Sequence, residues 1–201
     1  MRHTGPCQGG GPIKEGNVLS RTAFLVLLAA IVFSLVLPTS ASLNSQPAAV
    51  HTLDDAAIFA IFDEVNAADI WTARLGAKNC HAQEVCELAR MVASDHEQVQ
   101  QMMRDLARKL AITPVPPDSD SNAQDHAKAI ALLQDKSGAD FDRAYLLHEI
   151  EFHSAAVKAV KQTLLPTIQN AEFKALIQNV LPGFEHHLAE TAEVAHKLGY
   201  K

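Results

Sequence analysis

Apolar residues recur at intervals of three and four positions through four long stretches of the chain, the spacing that places side chains on one face of an α-helix. The stretches lie at about residues 55–78, 85–110, 140–165 and 170–197. No stretch of alternating apolar and polar residues competes with this pattern. The sequence therefore predicts an all-α fold.

Breaks between the periodic stretches predict how the helices connect. The segment Thr-Pro-Val-Pro-Pro at residues 113–117 ends the second helix, and the polar run that follows it belongs to a long crossover. A shorter helix is expected at residues 125–134. Pro166 should end or kink the third helix, and Pro182 should bend or re-initiate the fourth. Four long helices with a long connection between the second and third are typical of a helical bundle.

The N-terminal segment has the pattern of a secretory signal. Arg21 precedes an apolar run at residues 22–37, and small residues follow it. This order predicts cleavage after Ala41, which gives a signal peptide at residues 1–41, a linker at 42–53 and a helical domain at 54–201. The alternative is an uncleaved anchor, which would be the only membrane contact, because about sixteen apolar residues nearly span a tilted bilayer. Either interpretation places the domain outside the cytoplasm, in the periplasm or cell envelope.

The charge of the mature chain restricts its partners. The full chain carries 17 basic and 23 acidic side chains, and residues 1–41 contain three of the basic and one of the acidic ones. Cleavage would leave a net charge of −8, which argues against nucleic acid as a partner. Sequence motifs for nucleotide hydrolysis or serine chemistry are also missing, since no glycine-rich phosphate loop and no Gly-x-Ser-x-Gly occur.

Two cysteines remain after cleavage, Cys80 and Cys86. They fall at the predicted corner between the first and second helices, and an isolated pair in an oxidising compartment favours a disulfide over free thiols. The six-residue separation is only a weak signal for metal binding.

Ionisable residues lie on the apolar face of every long helix. Burying such groups is unfavourable unless they pair or bind a metal, so their recurrence predicts a polar site inside the bundle. On the third helix, Asp142, Glu149 and His153 are separated by seven and four residues and share one face. The candidate metal ligands are Asp69, His96, Glu149, His153 and His187.

Imidazole and carboxylate ligands together suit zinc, iron, copper or manganese. The Glu-x-x-His pair of di-iron bundles is missing at the inward His96 and His187, because Ala93 precedes His96 by three and Phe184 precedes His187 by three. The pattern thus favours a mononuclear or atypical site.

A purely structural interpretation competes with the metal site. An inward histidine commonly donates to a carboxylate or carbonyl in a core, and Asp142 could instead stabilise a helix N-terminus. The histidines outside the apolar faces are expected to be solvated. These are His81, His126, His148, His186 and His196.

Three sequence blocks carry a resemblance to a known family. Met-Val-Ala-Ser-Asp-His at residues 91–96, Phe-Asp-Arg-Ala-Tyr at 141–145 with His153 eleven residues after Asp142, and Leu-Pro-Gly-Phe-Glu-His-His-Leu at 181–188 resemble the signature blocks of DUF4142. The similarity spans about residues 54–198.

The resemblance implies an exported ferritin-like four-helix bundle whose histidines on helices two, three and four match His96, His153 and His187. The family usually has Glu at the acidic position of helix one, where this chain has Asp69.

Three hypotheses for function follow. The first is an exported metal-binding protein, in which Asp95 and Asp142 orient the ligands from an outer shell. The second is a non-catalytic envelope stress or interaction module with a structural network of buried histidines and carboxylates. The third is a redox enzyme acting at the same site, which would need an open coordination position.

Overall fold

The computed structural model describes residues 53–117 and 122–200, which belong to one compact unit, Pro47–Lys201. The predicted signal peptide and nearly all of the linker lie outside the described residues. The described part of the chain is all-helical, as predicted, and contains no strand. Its helices are α1 (Asp55–Asn79), α2 (Gln83–Lys109), α3 (Asn122–Gln134), α4 (Gly138–Ala159), a π-helical segment (Val160–Leu164), α5 (Leu165–Thr167) and α6 (Ala171–Lys197). None of these helices is long and apolar enough to cross a membrane.

Polar side chains fix the starts of α1 and α6. Asp54 caps α1 by accepting a hydrogen bond from the Ala57 N–H, and the Asn170 side chain caps α6. The next carboxylate, Asp55, accepts hydrogen bonds from the backbone N–H groups of Gln169 and Asn170 at 2.8 and 2.7 Å. The beginning of α1 is thereby joined to the beginning of α6.

The two prolines within the predicted helices have different effects. α4 passes through the π-helical segment into α5, whose first turn contains Pro166, and the helix ends at Thr167. Pro182 does not re-initiate α6, which continues from Ala171 to Lys197 through the proline. Of the expected bend or re-initiation at Pro182, the re-initiation is therefore wrong and the bend stays a prediction. Pro182 removes one backbone donor, and the helix tolerates this loss at an exposed position.

The long helices bury two separate apolar clusters. One is built around Phe59, Phe62, Met103 and Phe173. The other contains Val92, Phe141, Tyr145 and Leu146. α1 packs on α2 and α4, α6 packs on α2 and α4, and the shorter α3 lies against α1 and α4.

Along each long helix, the predicted metal ligands fall between the segments that supply the two clusters. On α1, Phe62 belongs to the first cluster and Ala73 to the second, and Asp69 lies between them. On α2 the order is reversed, and His96 lies between Val92 of the second cluster and Val99 of the first. A polar layer therefore separates the two apolar clusters.

The corner between α1 and α2 is held covalently. Cys80 and Cys86 form a disulfide with their Cα atoms 5.3 Å apart. Two successive backbone N–H groups at this corner, those of His81 and Ala82, donate to the two carboxylate oxygens of Asp142 at 2.8 and 2.7 Å. Asp142 thus connects α4 to the start of α2.

Candidate metal centre

The five candidate ligands lie together and are buried. Their exposed fractions are all between 0 and 3%. They come from four different helices: Asp69 from α1, His96 from α2, Glu149 and His153 from α4, and His187 from α6. Because residues far apart in sequence supply the cluster, only the packed fold can form it.

One nitrogen of His96 is directed away from the cluster by Asn66. The Asn66 amide nitrogen donates to the main-chain oxygen of Phe62 at 2.7 Å, which turns its side-chain oxygen towards His96 Nδ1 at 2.9 Å. An oxygen of this kind only accepts, so Nδ1 of His96 carries the proton. The other nitrogen, Nε2, is left with a lone pair.

The same arrangement holds for the other two histidines. His153 Nδ1 lies 3.0 Å from the main-chain oxygen of Glu149, and His187 Nε2 lies 3.0 Å from Asp95 Oδ2. Both acceptors require a protonated ring nitrogen. Each neutral ring therefore presents its remaining lone pair, on Nε2 of His153 and Nδ1 of His187, to the interior.

The three nitrogens that carry these lone pairs lie close to one another and to the carboxylate of Asp69. Nε2 of His96 lies 2.9 Å from Asp69 Oδ2, and Nε2 of His153 lies 3.3 Å from the same oxygen. Nδ1 of His187 lies 3.3 Å from His96 Nε2. Lone pairs and a carboxylate repel at these distances unless a cation lies among them, so the arrangement requires a proton or a metal ion.

Several polar atoms here lack hydrogen bonds. Within the described residues, both carboxylate oxygens of Asp69 and of Glu149, the Nε2 atom of His153 and the hydroxyl of Tyr145 have no partner in hydrogen-bonding geometry. Buried polar groups without partners are unfavourable and rare in native proteins. A metal ion would satisfy the oxygens of Asp69 and the nitrogen of His153.

The pKa values of Asp69 and Glu149 are shifted in opposite directions. Burial raises the pKa of Asp69, but the electrostatic interaction with His96 and the close contacts with His153 and His96 outweigh burial and lower the pKa overall. Burial, together with the nearby charge of Asp69, raises the pKa of Glu149 well above its usual value. Asp69 is therefore the ionised member of the pair, and Glu149 favours its neutral form.

The histidines also respond to their surroundings. Burial lowers the pKa of His153, but its contact and charge interaction with Asp69 outweigh burial and the pKa rises. Burial lowers the pKa of His187, and the nearby His96 and His153 lower it further despite Asp95. His187 thus favours its neutral form, the form in which histidine binds a metal.

The donor set fits a transition metal ion. His96, His153 and His187 form one group, and Asp69, Glu149 and His153 a second, in each of which the possible ligand atoms lie within 4.8 Å of one another. In a tetrahedral site with bonds of about 2.0–2.2 Å, ligand atoms stand roughly 3.3–3.6 Å apart. The distance from His153 Nε2 to Asp69 Oδ2 and the distance from His187 Nδ1 to His96 Nε2 are both 3.3 Å, within this range.

The two predicted outer-shell residues have different positions. Asp95 lies beside the cluster and contacts His187, while its side chain remains 47% exposed. Asp142 uses both oxygens at the corner between α1 and α2, so the structure contradicts its expected role as an orienter of metal ligands. Helical periodicity placed Asp142 on the correct face but could not show that it lies three turns from His153, at the end of the helix pair.

Asn66 is a further residue of the site that the pattern of ionisable residues did not indicate. It is 2% exposed and lies four residues after Phe62 and four before Ile70, on the same apolar face as Asp69. Its position on that face was the signal that could have identified it. An uncharged amide orients a ligand as a carboxylate would.

A cavity of about 370 Å³ adjoins the centre. His96 and His153 line it, together with apolar side chains of α1, α4 and α6. His126 of α3 and His148 of α4 also line it, and both are only partly exposed. Burial is the main cause that lowers the pKa of each. The expectation that these two are solvated is therefore wrong, whereas His81, His186 and His196 are exposed as expected.

Comparison with known proteins identifies the family without an activity. No curated protein and no solved structure matches the chain. The family described as "Domain of unknown function (DUF4142)" matches residues 39–194, which is most of the sequence and includes every candidate ligand. The chain therefore belongs to the DUF4142 family.

Proposed function

We propose that this protein is an exported, periplasmic metal-binding protein that holds one transition metal ion in a ferritin-like helical domain. The ligands are Nε2 of His96, Nε2 of His153, Nδ1 of His187 and the carboxylate of Asp69. Glu149 is a further oxygen donor beside them. Nitrogen and oxygen donors of this kind suit zinc, iron, copper or manganese.

One observation carries the proposal. Each of the three histidines has one ring nitrogen fixed by an acceptor outside the cluster, and these acceptors are Asn66 Oδ1, the main-chain oxygen of Glu149 and the Asp95 carboxylate. Metal-binding histidines have this arrangement, because the outer hydrogen bond selects the tautomer and leaves the other nitrogen to bind the metal. Three rings oriented in this way towards one carboxylate support a metal centre.

Export is supported by two independent features. The apolar run at residues 22–37 with Arg21 before it has the pattern of a secretory signal. The disulfide between Cys80 and Cys86 is typical of an oxidising compartment. Both favour a location outside the cytoplasm.

The competing hypothesis is a structural network in a non-catalytic envelope module, with a proton in place of the metal. A proton shared by Asp69 and His96 would satisfy that pair. It would leave Nε2 of His153 buried without a partner, whereas a neutral Glu149 can donate to Asp69. Because a buried polar atom without a partner is unfavourable, we prefer the metal centre.

Elemental analysis of the exported protein tests the proposal. Residues 42–201 should be purified without a metal-binding tag, as the wild type and as the variants His187→Ala and His186→Ala. The two histidines are neighbours on α6, but His187 is buried and His186 is exposed. We expect close to one metal ion per chain in the wild type and in His186→Ala, and loss of the metal in His187→Ala.

The structural network predicts a different result. All three proteins would then be metal-free and would remain so after incubation with zinc, iron, copper or manganese salts. His187→Ala would lower only the stability. This outcome would reject the metal-binding function.

A further inference from the structure

The cavity beside the candidate metal centre has the properties of a ligand site. We propose that it binds a small, uncharged, mainly apolar molecule, such as a bicyclic aromatic alcohol, with its single polar atom among the histidines of the cavity lining. The inference deepens the proposed function by naming the ligand class. Binding in the cavity itself rests on its shape and lining, so the two can be tested separately.

The size of the cavity suits a small organic molecule. Its volume of about 370 Å³ falls in the lower part of the range, roughly 300–1,000 Å³, that small-molecule sites occupy. The cavity beside the polar cluster can therefore hold a small organic molecule.

The lining selects an apolar occupant. Most of its side chains are aliphatic or aromatic, among them Phe62, Val65, Phe152, Leu164 and Phe184. In the described part of the chain, no lysine or arginine contributes to the wall. Asp125, the one carboxylate that the described residues contribute to the lining, is paired with Lys128. An anionic ligand would lack a permanent cationic partner here, whereas a neutral apolar ligand finds a matching surface.

The wall of the cavity combines buried and exposed residues. Phe62, His96, His153 and Leu164 are buried, whereas Ala155 and Ala159 are exposed. A ligand entering past the two alanines would reach the imidazoles with its leading atom. One polar atom at that end and an apolar body behind it match the distribution of polar and apolar groups in the wall.

The π-helical segment supports a functional role for this region. Val160 and Leu164, the first and last residues of the segment, both line the cavity and are both buried. π-helical turns within α-helices are rare and occur frequently at functional sites. The irregular part of the α4–α5 helix therefore coincides with the wall of the cavity.

Equilibrium dialysis with 2-naphthol tests the inference. The protein is residues 42–201, measured metal-free and after incubation with zinc. We expect saturable binding at one site per chain, and at least tenfold weaker binding of the anionic probe 2-naphthalenesulfonate. The variant Ala156→Leu places a larger side chain in the cavity wall and should weaken 2-naphthol binding at least tenfold.

Control variants separate filling of the cavity from damage to the fold. Ser154→Leu adds the same side chain at an exposed position of α4 outside the cavity lining and should leave binding unchanged. If Ala156→Leu does not fold, Ala159→Leu at the exposed edge of the cavity replaces it. NMR of the histidine rings should show shifts for His126 and His148 on addition of 2-naphthol, and none for the exposed His186.

The possible outcomes distinguish the two proposals. Absence of saturable 2-naphthol binding, or equal binding to the wild type and the cavity-filling variant, overturns the ligand site even if zinc is bound. Binding of 2-naphthol by a protein that never takes up metal supports the ligand site and rejects the proposed metal centre.

Discussion

The side-chain oxygen of Asn66 lies 2.9 Å from Nδ1 of His96, and both residues are buried. Because the Asn66 amide nitrogen donates to the main-chain oxygen of Phe62, this contact fixes both the orientation and the tautomer of the His96 ring. The ring then presents Nε2 to Asp69 and His187. A residue that binds no metal itself thus determines which nitrogen of its neighbour can do so.

Replacing Asn66 tests this relationship. We expect Asn66→Ala to weaken metal binding about 10- to 100-fold, the usual cost of losing an outer hydrogen bond to a metal-bound histidine. Asn79→Ala, at the exposed end of the same helix, is the control and should bind metal as the wild type does. Competition with a chromophoric chelator gives the affinities, and equal values for both variants would contradict the role of Asn66.

Asp95 should affect metal affinity more than stability. Its carboxylate contacts His187 Nε2 at 3.0 Å, but its side chain is 47% exposed and water can replace part of what is lost. Asp95→Ala is therefore expected to lower metal affinity about tenfold. Its free energy of unfolding without metal should stay within about 0.5 kcal/mol of the wild type, as is usual for surface positions. Unchanged affinity in the same chelator competition would exclude Asp95 from orienting His187.

Asp142 should affect stability more than metal affinity. Its two oxygens accept the backbone N–H groups of His81 and Ala82, which would lose these acceptors in Asp142→Ala. We expect a loss of about 1–3 kcal/mol in the free energy of unfolding, measured with urea, because partly buried donors would be left without partners. Metal stoichiometry should remain at the wild-type value. A variant that is stable but loses its metal would show that Asp142 does contribute to the metal centre.

Asp69 and Asp142 show how much of the site the sequence can predict. Asp69, His96, Glu149, His153 and His187 could be identified because each lies on the apolar face of a helix, and helical periodicity fixes that face. The same argument selected Asp142. Periodicity gives direction around a helix axis, but the height at which neighbouring helices meet depends on their packing, and the packing places Asp142 at the corner of α1 and α2.

The residues that line the cavity could not be predicted from the sequence, for a related reason. His126 lies on α3, within the predicted crossover, and His148 lies outside the apolar face of α4. Nothing in the local pattern indicates that α3 folds back against α1 and α4 and brings both rings to one cavity. The all-helical fold, in contrast, was accessible because long periodic stretches and proline-rich breaks are local features.

Gly76 should be required by the packing of Tyr145. A Cβ atom at Gly76 would lie 2.6 Å from Cε2 of Tyr145, whose ring is fully buried and cannot move aside easily. We expect Gly76→Ala to lower the free energy of unfolding by about 1–3 kcal/mol, the typical effect of overpacking a core.

Gly183 provides the matched control for this prediction. It is also helical, but a Cβ atom there would meet no other atom within 4 Å. Gly183→Ala should therefore stabilise the protein by about 0.5–1 kcal/mol, because alanine favours the helix. Urea unfolding compares the two variants directly. Stabilisation by both substitutions would show that Tyr145 yields to the added methyl group.

Anomalous diffraction at the zinc absorption edge, from crystals of zinc-loaded residues 42–201, would locate a metal ion among the four ligands. We expect one strong peak at about 2.0–2.1 Å from Nε2 of His96, Nε2 of His153 and Nδ1 of His187, with Asp69 as an oxygen ligand. Peaks confined to the exposed histidines His81, His186 and His196, with none among the buried rings, would contradict this expectation.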